Sequence, residues 1–160
     1  MELNTRGRYA VMAMADLAKH GSEHSVPLVA IAERQQISLA YLEQLFCKLR
    51  RSGLVESVRG RSGGYLLARP AQSIAIAEIL VAVEEPVEMT RCAGLLEAGC
   101  VGQERCLTHD LWHALGVEIR SFLSRVTLRD VLDRRIGTAG EARPAEIASS
   151  NAPVLGLAAE

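Results

Sequence analysis

The chain is poor in aromatic residues: its 160 residues include one Trp, two Phe and three Tyr. A core built mainly on large rings is therefore excluded, and the hydrophobic content of 49% indicates aliphatic helix packing. The chain also lacks any uncharged apolar run of roughly 18 residues, so no membrane-spanning helix is expected. Arg6, Arg8 and Asp16 interrupt the first apolar stretch, which argues against a signal peptide. We therefore expect a cytoplasmic protein without a membrane partner.

A net charge of −1 favours no particular partner, but the charges are unevenly distributed. Residues 1–69 carry ten Lys or Arg against six Asp or Glu, whereas residues 70–160 carry eight against thirteen. The narrower stretch 39–69 holds six basic residues and two acidic ones. This asymmetry is a modest signal for nucleic-acid binding, and it lies in the N-terminal half.

The apolar periodicity of the N-terminal half predicts a helix-turn-helix. A first helix is expected over about residues 3–19, and Pro27 fits the first turn of a short second helix. Ser38 is a good N-cap for a third helix over about residues 39–51, the clearest helix in the chain. Its outer face is polar and basic, which is typical of a helix that reads DNA.

A glycine-rich hairpin is predicted directly after this helix. Residues 54–59 and 65–68 read as its two strands, and the turn between them carries basic residues. Basic faces on small helical proteins are often only solvated surface, but a hairpin of this kind beside the helix favours a DNA-binding wing. The residues predicted to contact DNA are Ser38, Tyr41, Glu43, Gln44, Lys48, Arg59, Gly60 and Arg61.

Two side chains of the third helix are predicted to face base edges in the major groove. Gln44 can pair with adenine, and Glu43 can accept a hydrogen bond from N4 of cytosine. Lys48 would mostly neutralise a phosphate, and Arg59 is placed for the minor groove. The division between base contacts and phosphate contacts therefore follows the chemistry of each side chain.

Three of the four cysteines and one histidine fall within eighteen residues, in the frame Cys-x7-Cys-x5-Cys-x2-His. These residues are Cys92, Cys100, Cys106 and His109. Clustered cysteines in a reducing cytosol more often bind metal or act in redox chemistry than form disulfides. Three thiolates and an imidazole are enough donors for a tetrahedral metal ion or an iron–sulfur cluster.

Four interpretations of the cluster remain open from the residues alone. The cysteines could be small buried apolar residues, although the glycines and charges around them argue against this. Zinc sites usually contain paired Cys-x2–4-Cys knuckles, which are absent here. A thiol redox switch would leave His109 unexplained. An iron–sulfur cluster suits cysteines spread along an irregular loop and can accept His as a ligand, with His113 as a rival donor.

The C-terminal part is predicted to contain a long helix over about residues 108–125, followed by a short helix that starts with a capping box at Thr127. An apolar stripe on the long helix is assigned to a dimer interface, because winged helices this small usually bind DNA as two-fold dimers. Its residues are Leu111, Leu115, Ile119 and Phe122. From residue 137 onward the composition predicts a disordered tail.

Several of these segments together resemble the IscR family of winged-helix iron–sulfur regulators. The segments are residues 5–11, 37–46, 58–60, 63–67, 91–92 and 106–109, and the likeness covers about residues 1–135. The resemblance implies a homodimer that holds a 2Fe–2S cluster through Cys92, Cys100, Cys106 and His109. It also implies that the cluster-assembly machinery donates the cluster and that the loaded protein represses the genes of that machinery. Glu43 would then discriminate between two classes of DNA site in the cluster-free state.

This chain departs from the family pattern at three places. The first cysteine spacing is longer than in the family, although the ligand types are kept. Ala40 stands where the family has a Ser on the recognition helix, which puts contacts at that position in doubt. Cys47 replaces a small polar residue on the same helix, and we expect it to be an incidental thiol.

We therefore predict a mostly α protein with a small β-hairpin wing: a winged helix-turn-helix plus a long C-terminal dimerisation helix. The expected units are a DNA-binding domain (1–85), a cluster-binding loop (86–107), the dimerisation helix with a short terminal helix (108–135) and a disordered tail (136–160). The expected function is DNA-binding transcriptional regulation at a near-palindromic operator, without enzyme activity. The alternatives are a nitric-oxide- or redox-sensing repressor with a 4Fe–4S cluster, or a zinc-stabilised DNA-binding adaptor. An electron carrier with the same cluster is disfavoured, because the sequence shows no second redox centre.

Overall fold

The structure is a computed structural model that describes residues 4–22, 24–60, 63–85, 87, 89 and 106–136. These ranges contain six α-helices and one antiparallel two-stranded sheet. The elements are α1 (Thr5–His20), α2 (Leu28–Gln35), α3 (Leu39–Arg51), β1 (Val55–Val58), β2 (Gly64–Leu67), α4 (Ile76–Ala82), α5 (His109–Arg125) and α6 (Leu128–Leu132). The predicted mostly helical fold with a β-hairpin is confirmed.

The core is aliphatic, as the scarcity of rings predicted. On α3 the buried positions Leu42, Leu45, Phe46 and Leu49 recur at helical spacing and form one stripe. The ring of Phe46 packs edge-to-face on that of Tyr65, with centroids 4.9 Å apart. One face of α3 is thus fixed against the core, and the opposite face is left to solvent.

The turn between α2 and α3 is tight because Gln36 adopts a left-handed conformation, with φ of 54°. The amide of Ile37 then donates to the carbonyl of Ala32 at 3.1 Å, and the side chain of Ile37 is buried. A left-handed residue at this position reverses the chain within three residues. This geometry joins α2 and α3 as a helix-turn-helix.

The hairpin of β1 and β2 is anchored to the segment before α2. In the sheet register Val55 pairs with Leu67 and Val58 with Gly64. Val26 forms a further bridge to Tyr65, with both backbone hydrogen bonds 2.9 Å long. A Cβ atom on Gly64 would lie 2.5 Å from the backbone of Val26, so this close approach requires glycine.

The chain after α5 returns to the core. The amide of Ile76 donates to the carbonyl of Val126 at 2.9 Å, and Leu128 on α6 is fully buried. The predicted capping box is present: Asp130 N donates to the Thr127 hydroxyl at 3.2 Å, and Thr127 N donates to the Asp130 carboxylate at 2.9 Å. Backbone hydrogen bonds and the buried side chain of Leu128 therefore join the segment after α5 to the core that the N-terminal helices form.

The predicted bounds differ from the structure mainly at the end of α4. The sequence predicts a helix over about residues 76–84, but α4 ends at Ala82, and Glu84 has a left-handed φ of 56°. None of the helices in the described ranges is both long and apolar enough to cross a membrane. The division into units at residues 85, 107 and 135 stays a prediction, and residues 137–160 lie outside the described part of the chain.

Candidate nucleic-acid interface and metal centre

The outer face of α3 is exposed and polar. Glu43 and Gln44 lie on it, one turn after the start of the helix, and both are exposed. Arg50 and Arg51 are exposed at its C-terminal end, where positive charge also complements the helix dipole. This face offers hydrogen-bonding groups near the N-terminus and positive charge near the C-terminus, in the arrangement expected of a recognition helix.

Two residues predicted to contact DNA have structural roles at the start of α3. Ser38 is the N-cap residue and is exposed, and its carbonyl accepts a hydrogen bond from Leu42 N at 3.0 Å. Its hydroxyl makes no capping hydrogen bond, so the expected side-chain cap is not formed. Tyr41 is half-buried, and its ring packs edge-to-face on Tyr9 of α1, with centroids 6.1 Å apart. Tyr41 thus helps to hold α3 against α1.

The tip of the hairpin lies at Arg59 and Gly60, both exposed. Gly60 has φ of 113°, which L side chains rarely adopt, and Gly63 N donates to its carbonyl at 2.9 Å. Arg61 lies outside the described residues. The positive φ of Gly60 therefore allows a turn that leaves Arg59 exposed at the end of the sheet.

Lys48 differs from the other predicted DNA contacts because its amine is already engaged. Its Nζ lies 2.6 Å from Oε2 of Glu84, just beyond the end of α4. The hydrogen bond from Lys48 lowers the pKa of Glu84, and the charges of Lys48, Arg6 and Arg51 lower it further. No local pattern in the sequence predicts this pair, because its members are 36 residues apart.

The start of α5 brings together two of the four predicted metal ligands. The amide of His109 donates to the carbonyl of Cys106 at 3.0 Å, so both residues lie in one turn. The Cys106 sulfur lies 3.6 Å from the hydroxyl oxygen of Thr108. His109 is only 7% exposed, whereas a histidine at a helix start usually faces solvent. Its ring is parallel to that of His113, with centroids 6.1 Å apart.

Cys92 and Cys100 lie outside the described residues, so the full set of four ligands is not seen together. Among the residues that are described, no three His, Cys, Asp or Glu side chains lie close enough to hold a metal ion. The chemistry of Cys106 and His109 nevertheless fits half of a three-thiolate, one-imidazole site, since a thiol and a buried imidazole lie in the same turn.

The outer surface of α5 is unusually apolar. Leu111 is 61% exposed, and four further large apolar side chains of the helix are also exposed: Trp112, Leu115, Val117 and Phe122. Ile119 is half-buried. On the inner side, Gly116 is buried against Met89. Three of the four predicted interface residues therefore lie exposed in the isolated chain, which leaves an uncovered apolar surface.

Comparisons with known proteins agree with this geometry. The family model Rrf2, described as an iron-dependent transcriptional regulator, matches residues 3–134. The HTH-type transcriptional regulator IscR of Yersinia enterocolitica is 52% identical over 135 residues, which is 84% of this chain and 81% of that protein.

Two solved structures extend the comparison to the fold. T. potens IscR superimposes with a TM-score of 0.68 at 38% identity, covering 89% of this chain and 93% of that one. CymR, the global cysteine regulator of B. subtilis, gives a TM-score of 0.71 at 32% identity, covering 84% and 98%. The relatives are transcriptional regulators and not enzymes. The chain therefore belongs to the Rrf2 family of iron-dependent transcriptional regulators, as a helix-turn-helix protein of the IscR type.

Proposed function

We propose that this regulator binds a near-palindromic double-stranded DNA operator as a homodimer and that a 2Fe–2S cluster sets its preference among sites. The observation that carries the proposal is the exposed polar face of α3, with Glu43 and Gln44 opposite the buried stripe. A helix that is fixed on one side and polar on the other can enter the major groove without disturbing the core.

The proposed DNA contacts divide by chemistry. Gln44 would form two hydrogen bonds with adenine in the major groove, donating to N7 and accepting from the N6 amino group. Glu43 would accept a hydrogen bond from the N4 amino group of cytosine. Arg50 and Arg51 would neutralise phosphates, and Arg59 at the wing tip would enter the minor groove. Glu43 would also repel phosphates and acceptor-bearing base edges, which makes it a discriminator among sites.

The proposed cluster ligands are Cys92, Cys100, Cys106 and His109. Support comes from the shared turn of Cys106 and His109, from the burial of His109 and from the family membership. When bound, the cluster would supply reversible one-electron chemistry whose potential is raised by the neutral imidazole ligand. Cys106 and His109 would hold it at the N-terminus of α5, and the cluster-assembly machinery is the proposed donor. Repression of the assembly genes by the loaded protein is the proposed outcome.

The proposed dimer forms through α5. Leu111, Leu115 and Phe122 are exposed on this helix, and Ile119 is half-buried beside them. A second copy of the same helix would remove this apolar surface from water and relate two recognition helices by a two-fold axis. A two-fold protein matches a near-palindromic operator, because each half-site then receives one α3.

Anaerobic purification followed by visible absorption and iron and sulfide analysis tests the cluster. About two irons and two sulfides per chain are expected for a 2Fe–2S protein. Four irons per chain would favour a 4Fe–4S sensor of nitric oxide or redox state, and a colourless protein with stoichiometric zinc would favour the zinc-stabilised adaptor. DNA affinity measured with and without the cluster then tests the site preference, which should differ between the two states.

A further inference from the structure

We propose that Glu84 restrains DNA binding by holding the amine of Lys48, the recognition-helix cation that a phosphate would otherwise attract. This rests on the proposed function, in which the outer face of α3 binds DNA. Glu84 would act as an internal competitor for one phosphate contact per chain. It would therefore set how tightly the recognition helix binds any duplex, while Glu43 and Gln44 set which sequence it prefers.

The pair has the geometry of a competitor. The Lys48 amine donates to the Glu84 carboxylate at 2.6 Å, a short charge-assisted hydrogen bond. The side chain of Lys48 is 31% exposed and that of Glu84 is 73% exposed, so the pair lies at the surface. Exposed pairs of this kind are weak, which means that a DNA phosphate can displace the carboxylate. The contact thus lowers affinity without blocking binding.

The backbone beside Glu84 is fixed by α1. Arg6 Nη1 donates to the carbonyl of Glu84 at 3.1 Å, and Asn4 N donates to Oε1 of the buried Glu85 at 3.2 Å. A Cβ atom on Gly7 would lie 3.0 Å from Cγ of Glu85, so α1 approaches this segment closely. The left-handed conformation of Glu84 ends α4 and starts the next segment. The carboxylate is therefore held near α3 by the fold, and little ordering is needed to form the pair.

The charges around the carboxylate keep it ionised. The hydrogen bond from Lys48 lowers the pKa of Glu84, and the nearby charges of Arg6 and Arg51 act in the same direction. At neutral pH the carboxylate is consequently a full negative charge beside the proposed DNA surface. It would attract Lys48 and repel phosphates at the same time.

The position of Glu84 in the chain adds a connection to the proposed cluster segment. Glu84 precedes Cys92 by eight residues in the sequence. The pair therefore joins the recognition helix to the stretch of chain that leads to two of the proposed ligands.

A double-mutant cycle on the full-length protein tests the proposal. Affinity for a non-specific duplex is measured by fluorescence anisotropy across a salt series for the wild type, Glu84→Gln, Lys48→Met and the double variant. Glu84→Gln should tighten binding by about threefold and steepen the log–log salt slope by up to about two units per dimer, because each chain frees one lysine that neutralises one phosphate. In the Lys48→Met background Glu84→Gln should tighten binding clearly less, because only the direct repulsion between the carboxylate and the phosphates is then removed.

Glu33→Gln provides the charge-matched control, because Glu33 is exposed on α2 and its loss changes the net charge equally. Equal tightening by Glu84→Gln in both lysine backgrounds, or weaker binding on Glu84→Gln alone, would overturn the proposal. Failure of the proposed function has a different signature: Lys48→Met and Arg51→Ala would both leave affinity and salt slope at the wild-type value. Thermal unfolding of each variant verifies that the fold is kept.

Discussion

Asp16 on α1 accepts the single Nε–H of Arg34 on α2 with both carboxylate oxygens, at 3.1 and 3.0 Å, while its own side chain is only 1% exposed. Nη2 of Arg34 donates to the same carboxylate. Gln35 donates a further hydrogen bond to the same carboxylate at 2.6 Å. The pair joins the first two helices and so fixes α2, the helix that leads into the turn before α3. The position of α3 therefore depends on a buried carboxylate of another helix.

Asp16→Asn should lower the free energy of unfolding by about 1–3 kcal/mol, because a neutral amide replaces the charge-assisted hydrogen bonds of a buried carboxylate. Urea denaturation monitored by circular dichroism measures this change. Glu33→Gln, at an exposed position on α2, is the matched control and should change stability by less than about 0.5 kcal/mol. Equal stability of Asp16→Asn and the wild type would contradict the assigned role.

Acidification should remove the advantage of the wild type over Asp16→Asn. Burial alone would raise the pKa of Asp16, but the hydrogen bonds from Arg34 and Gln35 outweigh it and hold the pKa below its usual value. The stabilisation is thus fully present above the unfolded pKa of about 3.9 and is lost as the pH falls through the lower folded pKa. The difference between the unfolding free energies of the two proteins should therefore narrow steadily as the pH is lowered from 7 to below about 4. A constant difference over that range would show that the charge is not responsible.

Gly64→Ala should destabilise the hairpin, because the added methyl group would lie 2.5 Å from the backbone of Val26. We expect a loss of about 1–3 kcal/mol, typical of overpacking, together with weaker DNA binding through a displaced wing. Thermal unfolding and anisotropy measure the two effects. Ser57→Ala, at an exposed position on β1, should change neither. A Gly64→Ala protein as stable as the wild type would mean that Val26 and β2 can move apart without loss of stability.

Leu111→Glu and Leu115→Glu should convert the proposed dimer to a monomer without loss of the fold. Both leucines are exposed in the single chain, so a charge is tolerated there but cannot be buried against a second copy of α5. Sedimentation velocity gives the mass. Ser121→Glu, exposed on the same helix, is the control for added charge. A wild-type protein that sediments as a monomer would refute the dimer itself.

Cys106→Ala and His109→Ala should lose visible absorption and bound iron, whereas His113→Ala should keep both. The physical reason is that Cys106 and His109 share one turn at the start of α5, while His113 is one turn further on and exposed. Iron per chain after anaerobic reconstitution is the measurement, with far-ultraviolet circular dichroism to verify folding. If His113→Ala lost its iron while His109→Ala kept it, His113 would be the ligand in place of His109.

Gln44→Ala and Arg51→Ala should affect DNA binding in different ways. Removal of a base contact should cost about 1–3 kcal/mol at one base pair and relax discrimination there. Removal of a phosphate contact should weaken all sequences alike and reduce the salt slope by about one unit per chain, or about two per dimer. Binding of a set of singly substituted operators across a salt series separates the two patterns. The same pattern in both variants would contradict the assignment of base contact and phosphate contact.

Features that depend on neighbours within a few residues were predictable from the sequence. The stripe of Leu42, Leu45 and Leu49 on α3 follows from helical periodicity, and the capping box of Thr127 and Asp130 follows from their spacing. The fold class and the exposed position of Glu43 and Gln44 follow in the same way. The composition and the spacing of Cys and His likewise pointed to a metal site, although the assembled site stays a prediction.

The contacts between distant segments were decided only by the tertiary structure. Asp16 with Arg34, Val26 with Tyr65 and Lys48 with Glu84 join residues on different elements, and no local pattern predicts them. The burial of His109 depends in the same way on what packs against the start of α5. The periodicity of apolar residues predicts which face of a helix is buried, but the packing of helices against each other determines which charged side chains form ion pairs. Local patterns in the sequence therefore define the helices, the strands and the buried face of each, because they depend on near neighbours. The packing of the core brings Lys48 of α3 next to the carboxylate of Glu84, because these residues are neighbours only in the folded chain.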